Sequence, residues 1–348
     1  MQRDYIKYPL KFKPVFKQTI WGGKKIASFM GTDDAMGKFQ EDNVGECWGV
    51  SAVSGHESEV VNGELKGALL PDIVSLYGAK LLGNRNVERF GNTFPLLVKF
   101  IDAAKDLSVQ VHPNDIMAGQ LHNCSGKTEM WYVIDSESDA ELLSGFANDM
   151  SKEEFAKMEG SEILDSLSRF KIKKGDLFYL PAGTVHSIGA GAFIAEIQQS
   201  SDITYRIYDF DRVDGSGNKR ELHTGQALEA IDFTIKGDNC KILYKERCGE
   251  SNDIWESAFE VVSGKYFSTS VVKLHSNGIP ARRYTLNYAH LDSFVIITCV
   301  GGGAALQYGT GGQMEIHCGD VVLLPADLEE VCFELAQGAK FEFLETHI

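Results

Sequence analysis

The sequence predicts a mainly β protein built from two barrel-type units, with a small helical insertion in the first. The chain holds 35 glycines in 348 residues, and its short apolar runs are separated by Gly, Pro, Asn or Ser, as in sandwiches and barrels. A second observation is an internal repeat: residues 175–183 read GDLFYLPAG and residues 319–327 read GDVVLLPAD. Upstream, EMWYVID (129–135) resembles DSFVIIT (292–298) in pattern. Such a repeat predicts two copies of one unit.

Ten segments are predicted as strands, because each is a short alternating or continuous apolar run bounded by turn residues. They are Phe94–Ile101, Leu107–His112, Met130–Ile134, Asp176–Leu180, Ala192–Gln198, Thr204–Tyr208, Ser268–Leu274, Ser293–Val300, Asp320–Leu324 and Lys340–Glu345.

Helices are predicted at fewer places. Ser151, with Glu154 three residues later, has the spacing of a capping box and predicts a helix through Met158. Further helices are predicted around residues 163–167, at 70–82 with Pro71 near the start, and through Ala230 with Thr224 as the cap. The two repeated segments lie further apart in the first copy, and a helical insertion at about 135–172 accounts for the difference.

The repeat divides the chain into two expected domains. Residues 1–240 are expected to form a catalytic, metal-binding domain with the helical insertion at about 135–172 and a further helix at about 224–232. Residues 241–348 are expected to form a degenerate, metal-free copy. The linker is placed near 237–251, which is polar and rich in turn residues.

Composition and charge exclude several classes of function. The chain carries 34 Lys+Arg against 49 Asp+Glu, a formal net charge of −15, which argues against nucleic acid and anionic membrane as partners. The charged N-terminus has no apolar signal-peptide region, and the apolar runs are far shorter than the roughly 18 residues of a membrane helix. The seven cysteines form no C-x-x-C pair, which is typical of reduced thiols in a cytoplasmic protein.

Four residues form the strongest candidate for a metal site: Gln110, His112, Glu129 and His186. In LSVQVH (107–112), the apolar and polar side chains alternate, so Ser108, Gln110 and His112 share one strand face. Polar groups turned into a barrel interior are costly unless they meet a ligand or partner. Two imidazoles, a carboxylate and an amide oxygen suit a borderline divalent ion, Zn²⁺ first, and one ion per chain is expected. The alternative is that the four are unrelated polar residues.

The same residues carry a family resemblance. The QxH…E…PxGxxH spacing resembles that of the cupin superfamily. Longer motifs closely resemble type I mannose-6-phosphate isomerases of the short bacterial form: FPLLVKFIDA (94–103), LSVQVHPND (107–115), GKTEMWYV (126–133), PAGTVHSIG (181–189) and EIQQSSDITYRIYDFDR (196–212), with IWGG (20–23) and VGECWGVS (44–51). The resemblance covers about residues 10–232 and is loose beyond them.

This resemblance implies two cupin-type jelly-roll barrels and the reversible conversion of mannose 6-phosphate to fructose 6-phosphate at a zinc site. It implies that the zinc ligands are Gln110, His112, Glu129 and His186, and that Arg206 is the active-site arginine. Cys47 stands where the family usually has serine, which moves no ligand.

Aldose–ketose isomerisation through an enediol(ate) requires an electrophile, a base and an anchor for the phosphate, and three residues are candidates for catalysis. Arg206 is expected to stabilise an oxyanion or to clamp phosphate; the alternative is an ion pair with Asp209 or Asp211. Glu196 is a candidate base, or else a buried glutamate paired with arginine. Lys127 is a candidate base or phosphate contact, or else a surface lysine.

Substrate contacts are expected from Ser108, Lys99, Lys127 and Arg206, with Arg212 nearby. The second copy has no histidine after Pro325, and Asp292 is taken to replace Glu129, so this copy is expected to be structural. A small-molecule sugar phosphate is the expected partner, and the protein is expected to be a monomer or homodimer. The remaining alternatives are a cupin Fe(II) oxygenase and a non-enzymatic sugar-phosphate-binding cupin.

Overall fold

The computed structural model describes residues 6–31, 43–213, 217–243 and 257–348, and the fold is mainly β, as predicted. Each of the ten predicted strands overlaps an observed one. The strands are β1 (Leu10–Lys11), β2 (Val15–Gly23), β3 (Val44–Val50), β4 (Leu96–Asp102), β5 (Val109–Val111), β6 (Glu129–Ser136), β7 (Glu141–Phe146), β8 (Leu167–Lys171), β9 (Leu177–Leu180), β10 (His186–Ile188), β11 (Ala192–Gln199), β12 (Tyr205–Tyr208), β13 (Lys241–Ile242), β14 (Ser257–Ser263), β15 (Ser268–His275), β16 (Arg282–Asn287), β17 (Val295–Tyr308), β18 (Gly312–His317), β19 (Val321–Leu324), β20 (Glu330–Leu335) and β21 (Lys340–His347).

The helices are short. They are α1 (Lys25–Met30), α2 (Leu70–Tyr77), α3 (Ala79–Leu82), α4 (Asn84–Phe90), α5 (Asp115–His122), α6 (Lys152–Phe155), α7 (Ser161–Asp165) and α8 (Thr224–Ala230), with 3₁₀ turns at Gly63–Leu65 and Gly237–Asn239. The predicted capping box of Ser151 and Glu154 is present. Thr224 begins α8 instead of capping it. No helix in the described part of the chain is long and apolar enough to span a membrane.

The first unit is built from two sheets, whereas the second is built on one continuous nine-stranded sheet. In the first, the order β13-β9-β6-β11-β4-β3-β2 forms one sheet and β12-β5-β10-β7-β8 the other. In the second unit, the main path of the sheet follows the order β1-β19-β17-β21-β15-β14. β18 and β20 pair with the second half of β17, and β16 pairs with β20. Five strands follow the same order in both units: β9-β6-β11-β4-β3 in the first corresponds to β19-β17-β21-β15-β14 in the second.

The strand pairing confirms the internal repeat and corrects one detail of it. Leu180 and Leu324 hold the same place in the two Gly-Asp motifs; Leu180 pairs with Glu129, whereas Leu324 pairs with Val295. Val295, not Asp292, therefore stands at the position of Glu129, and the predicted correspondence with Asp292 is wrong. Asp292 precedes the strand and accepts a hydrogen bond from Asn84 N at 2.9 Å.

The predicted helical insertion at 135–172 is largely β structure. It contains β7 and β8, which extend the five-stranded sheet through β10, as well as α6 and α7. The second unit has the same two strands as the end of β17 and β18, joined directly by the turn at 309–311. The true insertion is thus the segment 147–166 between β7 and β8, where the capping box is the only strong helix signal.

One apolar core lies between the two units and contains side chains of both. Side chains from the outer face of the seven-stranded sheet pack against those of the nine-stranded sheet, and the rings of Phe94 and Phe294 lie 4.9 Å apart. Strands also cross the expected boundary at 240: Leu10 pairs with Leu323 in the second unit, and Ile242 pairs with Leu177 in the first. The predicted linker lies partly outside the described residues, which omit 244–256.

Candidate active site

His112, Glu129 and His186 meet inside the first barrel. All three are buried, and each offers a ligand atom within 4.8 Å of the others. His112 Nε2 lies 3.5 Å from Glu129 Oε2, and His186 Nε2 lies 3.4 Å from Glu129 Oε1. Three strands of the barrel thus bring together residues that are far apart in the sequence.

The two histidines are oriented for a ligand by backbone hydrogen bonds. Nδ1 of His112 lies 2.9 Å from the Ile203 carbonyl oxygen, and Nδ1 of His186 lies 2.9 Å from the Thr184 carbonyl oxygen. An imidazole that donates from Nδ1 keeps the Nε2 lone pair available, which is the usual arrangement around metal-ligating histidine.

Gln110 completes the predicted set of four. It pairs with His186 across β5 and β10, and its side-chain amide nitrogen lies 3.3 Å from His186 Nε2. Because the oxygen and nitrogen of a side-chain amide can exchange places by rotation, this position also suits an amide oxygen ligand. All four predicted residues are therefore together.

The protonation state of the two histidines suits a divalent cation. Burial lowers the pKa of His112 well below its usual value and that of His186 to about 4, so both imidazoles are neutral near pH 7. Burial, with a contribution from Glu196, raises the pKa of Glu129 to about 7. Glu129 Oε1 is buried without a hydrogen-bond donor. A buried carboxylate oxygen beside two neutral imidazoles fits a metal such as Zn²⁺.

Lys127 is buried against these ligand atoms. Its Nζ lies 2.7 Å from Glu129 Oε2 and 3.0 Å from His112 Nε2. Burial alone lowers the pKa of Lys127, but the carboxylates of Glu129 and Glu196 outweigh it and raise the pKa. Lys127 is only 4% exposed, so the alternative of a surface lysine is wrong.

Glu196 is also buried, and its carboxylate lies near one hydrogen-bond donor and two lysine amines. Trp131 Nε1 donates to its Oε2 at 2.9 Å, and the amines of Lys99 and Lys127 lie 3.4 and 3.8 Å from its Oε1. Burial raises the pKa of Glu196, but the two lysines outweigh it and lower the pKa overall. Within the described ranges of the chain, Oε1 accepts no hydrogen bond. The partners of Glu196 are lysines, not the arginine of the alternative interpretation.

Arg206 lies opposite a candidate ligand. It pairs with Gln110 across β12 and β5, and its Nη1 donates to the Glu221 carbonyl oxygen at 2.8 Å. Its buried Nε has no hydrogen-bond partner. Burial and the neighbouring Arg220 lower the pKa of Arg206, and this crowding of positive charge favours an anion.

The alternative ion pair of Arg206 is not formed. Asp209 is bound by Arg212 and Arg220, and Asp211 by Lys219. Among the residues that the structure describes, Arg206 therefore forms no ion pair with a carboxylate, and its side chain lines a cavity.

A cavity of about 130 Å³ lies beside the candidate ligands, and Gln110 is the one of them that lines it. Its lining includes every predicted catalytic and substrate-contact residue: Lys99, Ser108, Lys127, Glu196 and Arg206, together with Gln110. Arg212 is not part of the lining. Arg220 does line the cavity, although it was not predicted from the sequence. The available signal was the adjacent pair of positively charged residues, Lys219 and Arg220, in an acidic chain.

Comparisons with known proteins agree with this site and fold. Residues 10–138 match the family described as phosphomannose isomerase type I, catalytic domain. The chain is 40% identical over 327 residues to mannose-6-phosphate isomerase of Streptococcus mutans, covering 94% of this chain and 95% of the relative. It is 46% identical over 226 residues to mannose-6-phosphate isomerase ManA of Bacillus subtilis, covering 64% of this chain and 68% of the relative. A crystal structure of mannose 6-phosphate isomerase from Bacillus subtilis matches with a TM-score of 0.79 and 32% identity, over 98% of this chain and 99% of that one. The chain therefore belongs to the type I mannose-6-phosphate isomerase family.

Proposed function

We propose that this protein interconverts mannose 6-phosphate and fructose 6-phosphate at the cavity beside His112, Glu129 and His186. The observation that carries the proposal is that one cavity is lined by Gln110, Lys127, Glu196 and Arg206. Gln110 and Lys127 also contact the cluster of His112, Glu129 and His186. The reaction needs an electrophile, a base and an anion site together.

A single Zn²⁺ is the proposed cofactor, held by Gln110, His112, Glu129 and His186. When bound, zinc supplies Lewis acidity to the carbonyl and hydroxyl oxygens at C1 and C2 of the sugar. The neutral imidazoles support this donor set, as does the buried Oε1 of Glu129, which has no hydrogen-bond donor among the described residues.

Glu196 is the proposed base that moves the proton between C1 and C2. Lys99 and Lys127 keep its carboxylate ionised, and its Oε1 is free of hydrogen bonds at the cavity. Lys127 carries a proton and can donate a hydrogen bond to a sugar oxygen beside the ligands. Trp131 holds the other oxygen of Glu196, which fixes the direction of the free one.

Arg206 and Arg220 are proposed to bind two different negatively charged groups of the substrate. Arg206 lies opposite Gln110 in the strand ladder, so it is proposed to stabilise the enediolate oxygen. Ser108 is two residues from Gln110 on the same strand face, a distance of roughly 7 Å along a strand. Ser108 and Arg220 are proposed to bind the phosphate at the far end of the six-carbon sugar, because both line the same cavity.

The second unit is proposed to be structural, so that residues 1–240 form the catalytic domain and 241–348 the metal-free one. Asn287 pairs with Glu330 where Gln110 pairs with His186. Counted along the same strands, the four ligand positions of the first unit become Asn287, Ala289, Val295 and Glu330. Val295 is buried in an apolar core that fills the second barrel.

The Fe(II) oxygenase alternative is disfavoured by the charges at the site. An oxygen pocket is mostly apolar, whereas Lys99, Lys127, Glu196 and Arg206 line this cavity. A binding protein needs neither the base nor the buried lysine. Location in the cytoplasm and a monomeric or homodimeric state remain predictions.

The test is turnover of mannose 6-phosphate by the purified protein, followed as fructose 6-phosphate by a coupled assay. Parallel metal analysis separates zinc from iron. Turnover that is lost on chelation and restored by Zn²⁺ supports the proposal. Stoichiometric sugar-phosphate binding without turnover, or iron with oxygen uptake, would replace it with one of the alternatives.

A further inference from the structure

Two cysteines of the second unit lie next to each other across neighbouring strands. Cys299 N donates to Asp320 O at 2.9 Å, and Gly319 N donates to Cys299 O at 3.0 Å. Gly319 and Asp320 therefore both lie opposite Cys299, and Cys318 is the next residue along the chain. Opposed α-carbons in an antiparallel ladder lie roughly 4.5–5.5 Å apart, and a disulfide bridges α-carbons up to roughly 6.8 Å apart.

The side chains of the pair also converge. Both thiols lie near the Gly302 carbonyl oxygen, Cys299 Sγ at 3.7 Å and Cys318 Sγ at 3.4 Å. Cys299 is fully buried, while Cys318 is partly exposed in the turn before β19. One thiol is thus open to a small reagent and the other lies behind it.

The surroundings make the outer thiol the more acidic of the two. The neighbouring Cys299 thiol lowers the pKa of Cys318 to about 6, against burial, and the cation of Lys174 contributes. The neighbouring Cys318, burial and Asp320 raise the pKa of Cys299. An exposed thiolate beside a protonated thiol is the arrangement of a reactive cysteine with a resolving partner.

We propose that hydroperoxides oxidise Cys299 and Cys318 to an intramolecular disulfide. The Cys318 thiolate attacks the peroxide, an S–O bond forms, the O–O bond breaks, and the hydroxide released takes up a proton to become water. The Cys299 thiol then loses its proton and attacks the Cys318 sulfur, so that the S–S bond forms as the S–O bond breaks and a second water leaves. Two thiols are oxidised, and one hydrogen peroxide is reduced to two waters.

The other described cysteines lack this arrangement. Cys47 and Cys240 are buried, and Cys124 and Cys332 are partly exposed. Within the described part of the chain, none of these four forms a hydrogen bond with a second cysteine. Cys47 Sγ contacts Met30 Sδ at 3.7 Å, and Cys124 Sγ lies 4.0 Å from Ser201 Oγ. Cys332 lies on β20 of the same unit as the pair, so it provides a matched control.

The test treats the full-length protein with hydrogen peroxide, blocks the remaining thiols by alkylation, and maps peptides without reduction. The expected result is a linked peptide pair that joins Cys299 to Cys318, lost on reduction. Cys332→Ser should form the same link. Cys299→Ser should leave Cys318 as a sulfenic acid that dimedone traps, several-fold more than in the unsubstituted protein, and Cys318→Ser should show neither product.

Three results would overturn the proposal. One is oxidation of Cys124 or Cys332 with no link between Cys299 and Cys318. Another is dimedone labelling of Cys318 that is unchanged in Cys299→Ser. The last is a linked peptide pair in the unsubstituted protein that joins other cysteines. The peptide map of the unsubstituted protein decides the question even if a variant fails to fold, and it does not depend on the isomerase activity.

Discussion

Lys127 Nζ and Glu129 Oε2 lie 2.7 Å apart in the interior of the first barrel, where both side chains are almost fully buried. The lysine is two residues from a candidate metal ligand and also contacts His112. The ammonium group of Lys127 therefore neutralises the Glu129 carboxylate, which is also the proposed ligand of the metal ion. The catalytic proposal and several of its tests depend on this pair.

Replacement of Lys127 by methionine should affect the metal-free protein more than the metal-loaded one. Loss of one partner of a buried ion pair costs about 3–5 kcal/mol, because the other charge is left uncompensated. A bound divalent ion compensates Glu129 instead. Urea unfolding of both forms measures the difference, and an equal loss of stability in the two would contradict the shared role of Glu129.

Lys127→Met should also lose about two orders of magnitude in kcat, as expected for removal of a positioned proton donor. The metal content should stay near that of the unsubstituted protein. Arg283→Ala provides a control on an exposed ion pair of the second unit. Normal turnover in the methionine variant would remove Lys127 from the reaction.

His186→Ala should lose metal and activity together, because the remaining ligands rarely hold zinc tightly. His290 is exposed in the second unit, so His290→Ala should retain both. Metal analysis after gel filtration, with circular dichroism to confirm folding, measures the outcome. Full zinc occupancy and normal turnover in His186→Ala would end the ligand assignment.

Arg206→Ala should keep zinc but lose about two orders of magnitude in kcat, the loss typical of removing one preorganised donor. Arg206→Lys should rescue poorly, because the planar guanidinium is lost. Arg220→Ala should act mainly on KM, since that residue is assigned to the phosphate. Steady-state kinetics of the three variants measure the split, and a loss confined to KM in Arg206→Ala would reassign Arg206 to the phosphate.

Glu196→Gln should retain zinc and fold normally but lose proton transfer. The amide keeps the shape of the side chain and cannot accept the proton. Exchange of substrate hydrogen with tritiated water should fall with turnover. Glu330 lies at the position in the second unit that corresponds to His186, so Glu330→Gln is the control and should leave the kinetics unchanged. Near-normal hydrogen exchange in Glu196→Gln would exclude Glu196 as the base.

Local patterns predicted much of this structure. The alternation in LSVQVH put Gln110 and His112 on one face, and the turn residues of GDLFYLPAG placed His186 at the start of the next strand. These signals are local, because side-chain direction and turn geometry depend on a few neighbouring residues. The four ligands could therefore be named from spacing and resemblance.

Long-range pairing could not be predicted in the same way. β1 joins the second unit through Leu10 and Leu323, which are far apart in the sequence. Asp292 was misplaced because the register of β17 is fixed by its partner strand β19, not by its own pattern. Arg220 was missed because only the folded loop brings it to Asp209 and the cavity.

The measurement that tests the central claim most directly is zinc stoichiometry combined with mannose 6-phosphate turnover on the same purified sample. The account predicts about one zinc per chain, since the second barrel offers an apolar interior. Chelation should remove zinc and activity in parallel, and added Zn²⁺ should restore both. Sustained turnover in protein shown to be free of zinc, or zinc-loaded protein that binds mannose 6-phosphate without converting it, would contradict the account.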